Sequence, residues 1–360
     1  MLSDADYMAR ALQLAARGRG RTSPNPMVGA VVVSPEGVIV GQGYHEQAGQ
    51  PHAEIHALEA AAGGARGATL YCTLEPCSHT GRTGPCVERI VSAGVARVVA
   101  SVRDPNPIVS GHGFTYLRAH GVHVDVGVGA DNAFQLNRPY FTFVREGRPF
   151  VIMKAALSLD RRVAAAPGAR TAITSDAALR HVHQVRAEID AIGVGSNTLL
   201  IDDPQLTARG VSRPRPLIRV IFDRRLRARP AARVFSTLQH GPVIIMTTAR
   251  AVREGPDRAG ALTDVGARVE ALDNADLASA LARLGMAEVT SLLLEGGPTL
   301  HAAAWDAGLV DCVHVYVAPI TLGKHGVPWL AGDALTGLID TRVQSFGADV
   351  FTEGYVHRTY

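Results

Sequence analysis

The stretch ATLYCTLEPCSHTGRTGPCVERIVSAG, residues 68–94, predicts a strand that leads into a loop with two Pro-Cys pairs and then into a helix. Residues 68–75 form a short apolar run typical of buried strands. A helix is expected over residues 85–93, because proline favours the first helical position and the glycine that follows ends the segment. The stretch therefore predicts an α/β fold in which Cys77 and Cys86 stand at the ends of one loop.

The segments around this stretch predict a mixed sheet in the first half of the chain. Ser3 and Asp6 have the spacing of a capping box, and apolar residues at helical spacing follow them as far as Gly18. Two apolar runs joined by a Pro-Glu-Gly turn indicate a hairpin. The expected elements are this N-terminal helix, strands at 27–33 and 37–43, a helix from Pro51, and strands at 97–102 and 122–128. Their order, α-β-β-α-β-α-β, gives one sheet with helices packed against it.

The second half of the chain predicts a mostly parallel sheet. The pattern pauses at Glu146-Gly147-Arg148-Pro149, and we place a domain boundary there, which divides the chain into domains 1–146 and 147–360. Beyond it, short apolar runs alternate with helical stretches, as in parallel strands that are covered on both faces. The runs are 150–157, 189–195, 216–222, 242–247 and 290–295, and late strands, expected to be antiparallel, follow at 311–320 and near 341–356.

Length and composition indicate a globular protein of two domains. The chain has 360 residues, 47% of them hydrophobic and 19% charged, and a domain has roughly 150 residues. A net charge of +3 is too small to argue for a nucleic-acid partner. The four cysteines make no disulfide framework, and we find no signal peptide and no apolar run near the ~20 residues that span a membrane. We therefore expect a cytoplasmic protein without a membrane partner.

Four residues of the first half form the pattern of a zinc-dependent deaminase. His52 and Glu54 make a His-x-Glu pair, and Cys77 and Cys86 each follow a proline. One imidazole and two thiolates leave the fourth position of tetrahedral Zn²⁺ open, and the ion lowers the pKa of a water bound there to about 7. Glu54 would take a proton from that water and deliver it to the leaving amine. Helix N-termini expected at the prolines before His52 and Cys86 would favour the negative charge on these groups.

The sequence alone leaves other interpretations of these residues open. Eight residues separate Cys77 from Cys86, whereas the usual deaminase motif is Cys-x-x-Cys. If Glu54 were a fourth ligand, the cluster would be a structural zinc module, fused to a nucleotide-binding regulatory domain. A deaminase that edits nucleic acid is opposed by the small net charge and an aromatic content of 5%. Cys72 and Cys312 are expected to be ordinary buried thiols.

Two glycine turns in the second half predict a nucleotide site, although the G-x-G-x-x-G fingerprint is absent. One is Gly193-Val194-Gly195-Ser196-Asn197-Thr198, and the other is Leu294-Glu295-Gly296-Gly297-Pro298-Thr299-Leu300. The second suits phosphate, because glycine lets the backbone approach closely and a helix begins there with free N–H groups. Arg224 and Arg225 follow an expected strand and would receive a 2′-phosphate, which favours NADP, or else form a solvated strand end.

The chain resembles the bifunctional deaminase/reductase family of riboflavin biosynthesis over nearly its whole length. The resemblance rests on Ser23-Pro24-Asn25-Pro26-Met27-Val28-Gly29, His52-Ala53-Glu54, the segment 73–86, Asp104-Pro105-Asn106-Pro107, and the segments 154–160, 185–195, 202–209 and 295–300. A long interval between the two cysteines is normal in that family. The resemblance implies a cytidine-deaminase-like α/β/α domain, followed by an α/β domain similar in fold to dihydrofolate reductase.

The resemblance also implies two consecutive reactions. The first is zinc-dependent hydrolytic deamination of 2,5-diamino-6-(5-phosphoribosylamino)pyrimidin-4-one to 5-amino-6-(5-phosphoribosylamino)uracil. The second is NADPH-dependent reduction, in which hydride reaches C1′ of the opened ribose and leaves a ribityl chain. The implied cofactors are one Zn²⁺ per chain and NADPH. The implied partners are a small phosphorylated substrate and further copies of the chain, in a dimer or tetramer.

Matching the family's motifs residue by residue gives the expected sites. Zinc is held by His52, Cys77 and Cys86, and the catalytic residues are Glu54, Lys154, Asp202 and Glu295. Substrate contacts are expected from Asn25, His45, His79, Arg82, Arg186, Leu206, Arg209 and Glu295, with phosphate meeting His79 and the arginines. Contacts to NADPH are expected from Ala156, Thr198, Asp202, Arg224, Gly297, Pro298, Thr299 and Leu300.

Two departures from the family's pattern concern the reductase half. Arg161 stands where the family has glycine, and Ala172 stands where it has tryptophan. The segment 164–170 also lacks the expected serines. An arginine disfavours a positive φ, and the loss of an aromatic ring weakens stacking on the cofactor. An active deaminase with an impaired reductase half is therefore a further alternative.

Overall fold

The structure, a computed structural model, describes residues 2–78, 84–274, 276–330 and 335–357. It contains two compact units, of which the first extends to Glu146 and the second begins at Gly147. Each unit is built on a mixed sheet with helices packed against it, which confirms the α/β fold class expected from the sequence. Among the described residues, no helix has the length and apolar character that crossing a membrane requires.

The first unit begins with a helix that has the predicted capping box. The Ser3 N–H donates to Asp6 Oδ2 at 2.8 Å, and the Asp6 N–H donates to Ser3 Oγ at 3.3 Å. In chain order the elements are α1 (Asp4–Ala15), β1 (Gly29–Val33), β2 (Ile39–Tyr44), α2 (Ala53–Ala60), β3 (Thr69–Cys72), α3 (Cys86–Ser92), β4 (Arg97–Ala100), α4 (His112–Ala119), β5 (His123–Val126) and α5 (Ala130–Glu146).

The sheet of the first unit separates two helical layers. Its strand order is β2-β1-β3-β4-β5, with β1 antiparallel to both neighbours and the last three strands parallel. Side chains of β1 alternate between the layers, because successive residues of a strand face opposite ways. Ala30 and Val32 join the core under α2 and α3, and Val31 and Val33 pack against α1. The two helices whose first turns carry predicted site residues therefore share one layer.

Helix boundaries in this unit differ from the prediction by one or two residues. Helix α2 begins at Ala53 with His52 as its N-cap, and α3 begins at Cys86 with Pro85 as its N-cap. Neither proline is therefore the first helical residue. The correction moves His52 and Cys86 themselves to the helix starts.

Helices α4 and α5 were missing from the predicted order of elements. Helix α4 has Gly111 as its N-cap, without a side-chain cap, so the usual start signal is absent. Helix α5 contains Pro139 and has non-helical dihedral angles at Asn137, which interrupt the helical pattern. Both helices complete the layer that holds α2 and α3.

The second unit contains the longer sheet. Its elements are β6 (Phe150–Ser158), β7 (Arg162–Ala164), α6 (Asp176–Glu188), β8 (Ala191–Gly195), α7 (Ser196–Asp202), β9 (Ile218–Phe222), β10 (Val243–Thr248), α8 (Ala249–Glu254), α9 (Pro256–Asp264), β11 (Ala267–Leu272), α10 (Leu277–Met286), β12 (Ser291–Glu295), α11 (Pro298–Asp306), β13 (Cys312–Ala318), β14 (Val327–Pro328), β15 (Ile339–Phe346) and β16 (Asp349–Tyr355). Short 3-10 helices lie at Ala16–Gly18 in the first unit and at Phe235–His240 in the second.

Nine strands form this sheet, in the order β11-β10-β9-β8-β12-β6-β13-β16-β15. The first seven run parallel, and the last two form an antiparallel hairpin. The expectation of late antiparallel strands is confirmed near 341–356, whereas β13, predicted with them, is parallel to β6 and antiparallel only to β16. Leu292 and Leu294 face one core and Leu293 faces another, so both sides of β12 are covered. In such a sheet the carboxyl ends of the parallel strands share one edge, where ligands bind.

Three strands of the second unit were not predicted. Strand β11 is an edge strand, and its sequence, ARVEAL, alternates apolar and charged residues instead of forming a continuous apolar run like the strands that were predicted. Strands β7 and β14 have three and two residues and pair only with each other. Short pairings of this kind depend on tertiary contacts rather than on local pattern.

Arg161 occupies the turn between β6 and β7 in the left-handed conformation, with φ at 58°. The adjacent Asp160 holds the turn, because its carboxylate accepts the Ser158 hydroxyl at 2.6 Å and the Gly323 N–H at 2.8 Å. A left-handed residue with a Cβ costs roughly 1–2 kcal/mol. The departure from glycine at this position therefore strains the turn without preventing it.

We expect Arg161→Gly to be more stable than Arg161→Ala by about 1 kcal/mol, because only glycine removes the left-handed strain. At the exposed Leu159, which is not left-handed, the glycine variant should instead be less stable than the alanine variant, since glycine there only adds freedom to the unfolded chain. Both tryptophans, Trp305 and Trp329, lie in the second unit, so urea unfolding followed by tryptophan fluorescence reports on it alone. Equal stability of the two Arg161 variants would contradict the strain.

Candidate active sites

In the first unit, one imidazole and two thiols meet at the starts of α2 and α3. His52, Cys77 and Cys86 have ligand atoms within 4.8 Å of one another, and they are the one group of this kind among the described residues. His52 Nδ1 lies 3.3 Å from Cys86 Sγ and 3.5 Å from Cys77 Sγ. Cys72 and Cys312 are buried away from this group.

The spacing of these atoms fits a zinc ion. With Zn–S near 2.3 Å and Zn–N near 2.05 Å, a nitrogen and a sulfur on one tetrahedral ion stand about 3.6 Å apart. The two nitrogen–sulfur distances at His52 are within a few tenths of an ångström of that value. Glu54 does not belong to the group of candidate ligands, which argues against a closed structural site.

The three candidate ligands differ in how readily they lose a proton. Hydrogen bonds from Cys86, together with His52, lower the pKa of Cys77 to about 4. The hydrogen bond to Cys77 raises the pKa of His52 to about 9, and the same neighbour raises the pKa of Cys86 well above its usual value. A metal cation must therefore displace the protons of His52 and Cys86 when it binds.

Glu54 lies in the first turn of α2, and its side chain is buried. Burial raises the pKa of this carboxyl, and the nearby His52 acts in the opposite direction. The carboxyl is also hydrogen-bonded to Cys86, so it stands at the ligand cluster without being one of the ligands. A buried carboxyl with a raised pKa beside a metal site is suited to moving protons.

Glu75, for which the sequence predicted no role, organises the loop that carries Cys77. Its buried carboxylate accepts the N–H groups of Gly111 and Gly113 at 3.0 Å, at the start of α4. A Cβ on Gly113 would stand 2.1 Å from the Pro76 carbonyl oxygen, so only glycine allows this approach. Helix α4 is thereby docked on the peptide that precedes Cys77.

Asn25 and His45, the predicted substrate contacts, touch each other near the ligand cluster. His45 Nδ1 lies 3.1 Å from the Pro51 carbonyl and therefore carries the proton, which leaves Nε2 to accept from Asn25 Nδ2 at 3.1 Å. Burial lowers the pKa of His45, so the ring stays neutral. Its edge faces the His52 ring at 5.4 Å between centroids. The other predicted contacts of this unit, His79 and Arg82, lie outside the described residues.

In the second unit, a cavity of about 1210 Å³ opens at the carboxyl ends of the parallel strands. All the site residues predicted for this half line it, namely Lys154, Ala156, Arg186, Thr198, Asp202, Leu206, Arg209, Arg224, Glu295, Gly297, Pro298, Thr299 and Leu300. Ligand pockets usually measure about 300–1,000 Å³, so this one has room for a substrate and a cofactor together. Ala172, at the position of the family's tryptophan, is also part of the wall.

The cavity wall is strongly basic. Lys154 and six arginines line it, against the carboxylates of Asp202, Asp276 and Glu295. Helix α11 begins in this wall with Gly297 as its N-cap and proline at its first position. Free N–H groups at such a start attract anions. Positive side chains and a helix start together fit ligands that carry several phosphates.

Glu295 is held between two cations. Arg186 donates through Nε and Nη2 to its two oxygens at 2.7 and 2.8 Å, and Lys154 Nζ lies 3.9 Å from Oε2. Burial alone would raise the pKa of Glu295, but Arg186 and Lys154 outweigh it and bring the value to about 2. Burial lowers the pKa of Lys154, which Glu295 partly offsets.

This contact changes what Arg186 can do. It was predicted to bind substrate, and its guanidinium also donates through Nη1 to the Thr207 carbonyl at 3.0 Å. Three of its hydrogens are therefore used within the protein. Arg209 is more exposed, and its neighbour His183 lines the cavity between the two arginines without having been predicted.

Comparisons with known proteins cover both units. The sequence pattern of the cytidine and deoxycytidylate deaminase zinc-binding region matches residues 1–102, and that of the RibD C-terminal domain matches residues 149–352. The riboflavin biosynthesis protein RibD of Escherichia coli (strain K12) is 43% identical over 335 residues, which are 90% of this chain and 89% of that protein.

Solved structures agree with these sequence matches. Acinetobacter baumannii RibD superposes with a TM-score of 0.85 at 35% identity, over 99% of both chains. A Thermotoga maritima protein, named a diaminohydroxyphosphoribosylaminopyrimidine deaminase/5-amino-6-(5-phosphoribosylamino)uracil reductase, superposes with a TM-score of 0.84 at 35% identity, over 98% of both chains. These findings confirm the resemblance, with Zn²⁺ and NADPH as cofactors. The chain therefore belongs to the RibD family of bifunctional deaminase/reductases of riboflavin biosynthesis.

Proposed function

We propose that this chain deaminates 2,5-diamino-6-(5-phosphoribosylamino)pyrimidin-4-one and then reduces the product's ribosyl group to ribityl. The Thermotoga maritima protein named for these two activities has the same fold over nearly its whole length, which supports the substrates. The observation that carries the proposal is the meeting of His52, Cys77 and Cys86 at the buried Glu54. The deaminase domain is proposed to extend to residue 146 and the reductase domain to begin at 147.

In the deaminase, His52, Cys77 and Cys86 would hold Zn²⁺, which supplies a Lewis acid that lowers the pKa of a water molecule. Glu54 accepts a proton from that water as its oxygen forms a bond to the carbon that bears the amino group. Glu54 then gives the proton to the amine as the C–N bond breaks and ammonia leaves. Asn25, fixed by the neutral His45, presents its amide to the pyrimidine.

In the reductase, NADPH would supply the hydride that C1′ accepts. Lys154 donates a proton to the ring oxygen as the C1′–O bond breaks, so that the sugar opens to an iminium that the hydride reduces. Burial lowers the pKa of Lys154 and so makes it a better proton donor, while the nearby Glu295 partly offsets this effect. Asp202 and Thr198, on α7, face the cavity from the cofactor's side, and Arg209 meets the substrate's phosphate.

Mass spectrometry of the diaminopyrimidinone ribosyl phosphate, incubated with zinc-loaded enzyme and NADPH, tests the proposal. We expect the deamination shift first and a gain of two hydrogens second. Accumulation of the deaminated uracil would show that Arg161 and Ala172 mark an impaired reductase half. No turnover by a folded, zinc-loaded sample would contradict both activities.

The cellular setting is proposed from the same family resemblance. We place the chain in the cytoplasm, where thiols such as that of the buried Cys72 stay reduced. We also propose a homo-oligomer, either a dimer or a tetramer. The edge strand β15 supports this, because no described strand pairs with its outer edge and Val343 is exposed. Light scattering of the purified protein decides between a monomer and an oligomer.

A further inference from the structure

The loop after β9 directs three arginines toward the cavity and one leucine into the core. Arg224, Arg225 and Arg227 are exposed and line the cavity, whereas Leu226 between them is fully buried. Leu226 is left-handed, with φ at 53°, and its N–H donates to the Asp223 carbonyl at 3.1 Å. This tight turn fixes which way the arginines point.

Asp223 closes the turn from inside the protein. Its side chain is fully buried, and Oδ2 accepts the Ala228 N–H at 2.7 Å, so the carboxylate spans the whole arginine segment. A buried carboxylate that accepts a backbone N–H fixes the loop in one conformation. The turn therefore presents its arginines on a rigid support.

Arg227 differs from the other two arginines because its guanidinium is held in place. Nη2 donates to Ser196 Oγ at 2.6 Å and to Asn197 Oδ1 at 2.8 Å, at the start of α7. Within the part of the chain that the structure describes, Nε and Nη1 of Arg227 have no partner, and no carboxylate contacts the group. A guanidinium held at one edge and open at the other is organised in advance for a phosphate.

The position of Arg227 along the sheet identifies which phosphate it meets. The hydride must reach the substrate beside Lys154 on β6 and Glu295 on β12, so the nicotinamide lies at those strands. The strand order β9-β8-β12-β6 puts the end of β9 three strand spacings away, at about 14 Å from β6. The Gly296-Gly297 turn and the α11 start lie between, where the pyrophosphate fits. The adenosine end must therefore extend toward β9.

We propose that Arg227 is the principal residue that binds the 2′-phosphate of NADPH and thereby selects NADPH over NADH, with Asp223 as a positioning residue for its loop. This inference rests on the proposed reductase function and deepens it. The sequence pointed to the pair Arg224 and Arg225, whose side chains have no partner among the described residues.

Isothermal titration of the full-length protein with NADP⁺ and with NAD⁺ tests the proposal without turnover. Arg227→Ala is expected to weaken NADP⁺ binding by about 10- to 100-fold and to change NAD⁺ binding less than about 3-fold, because charged hydrogen bonds to the 2′-phosphate are lost. Arg227→Lys keeps the charge but not the fork, so an intermediate loss is expected.

Two further variants serve as comparisons. Arg229→Ala removes the same charge from the same loop, outside the cavity wall, and should leave both affinities unchanged. Arg224→Ala should weaken NADP⁺ binding less than Arg227→Ala does. A larger effect of Arg224→Ala, or a preserved preference for NADP⁺ in Arg227→Ala, would overturn the assignment.

The outcomes also separate this inference from the proposed function. Equal weakening of NADP⁺ and NAD⁺ in Arg227→Ala would place the residue at the pyrophosphate and reject the 2′-phosphate. If the wild-type protein binds neither dinucleotide, the reductase function itself fails. Urea unfolding followed by tryptophan fluorescence, which reports on the second unit, confirms that this unit is folded in each variant.

Discussion

Glu54→Gln is expected to lower the rate of deamination by about 10²- to 10⁴-fold and to leave reduction of the deaminated substrate unchanged. Glutamine has the same shape as glutamate but cannot accept the proton of the attacking water. The zinc ligands are His52, Cys77 and Cys86 in our assignment, so the variant should still bind one equivalent of zinc. Deaminase and reductase rates are measured separately, each with its own substrate.

Zinc content distinguishes this role from the structural alternative. If Glu54 were a fourth ligand, its replacement would lower the zinc affinity as well as the activity. The zinc affinity is measured in competition with a chelator. Cys86→Ser provides the matched loss of a ligand and should reduce zinc content and deamination together. A Glu54→Gln protein that retains zinc and more than a tenth of its deaminase rate would contradict the proton-transfer role.

How far the sequence predicted this site depends on the kind of signal each residue gives. His52 and Glu54 share one helical turn, and Cys77 and Cys86 follow prolines, so a local pattern was sufficient to bring them together. Glu75 belongs to the same motif, but its partners are N–H groups at the start of α4, some 36 residues later. Hydrogen bonds to backbone groups so far away in the sequence cannot be recognised from the residue types.

The same distinction applies to the fold and to the second site. Parallel strands such as β12 were predicted because they are continuously apolar, whereas the edge strand β11 was missed, because its alternating apolar and charged residues differ from those continuous runs. Every site residue predicted for that half lines the cavity. The pairing of Arg186 with Glu295 was not predicted, because the two residues lie 109 positions apart. A sequence shows that an arginine is present, but its partner is decided by how α6 packs against the sheet.

Arg186→Met is expected to lower reductase kcat/KM by about 100-fold and to destabilise the second unit by about 3 kcal/mol, because it leaves Glu295 buried without its two-bond partner. Both side chains are mostly buried, at 14% and 13% exposed, so water compensates little. Deamination should be unaffected. Tryptophan fluorescence in urea reports the stability of the second unit, since both tryptophans are there.

Two measurements separate this role from phosphate binding. If Arg186 acts through Glu295, kcat/KM falls equally for the phosphorylated substrate and for its dephosphorylated form, whereas a phosphate ligand would affect only the former. In a protein that already carries Glu295→Gln, adding Arg186→Met should then lower the free energy of unfolding far less than either change does alone, because the partners no longer depend on each other. Additive losses would contradict the pairing.

The pH dependence of stability provides a further test of the pairing between Arg186 and Glu295. In the wild-type protein the pKa of Glu295 is lowered to about 2. Its contribution to the stability of the folded protein is therefore complete above the pKa of the unfolded chain, about 4.3, and is lost as the pH falls toward 2. Without Arg186, we expect burial to outweigh Lys154 and to raise the pKa of Glu295. Stability of Arg186→Met should then fall as pH rises through that raised value, which is the opposite direction. A variant that parallels the wild type between pH 4 and 7 would show that Lys154 alone keeps Glu295 ionised.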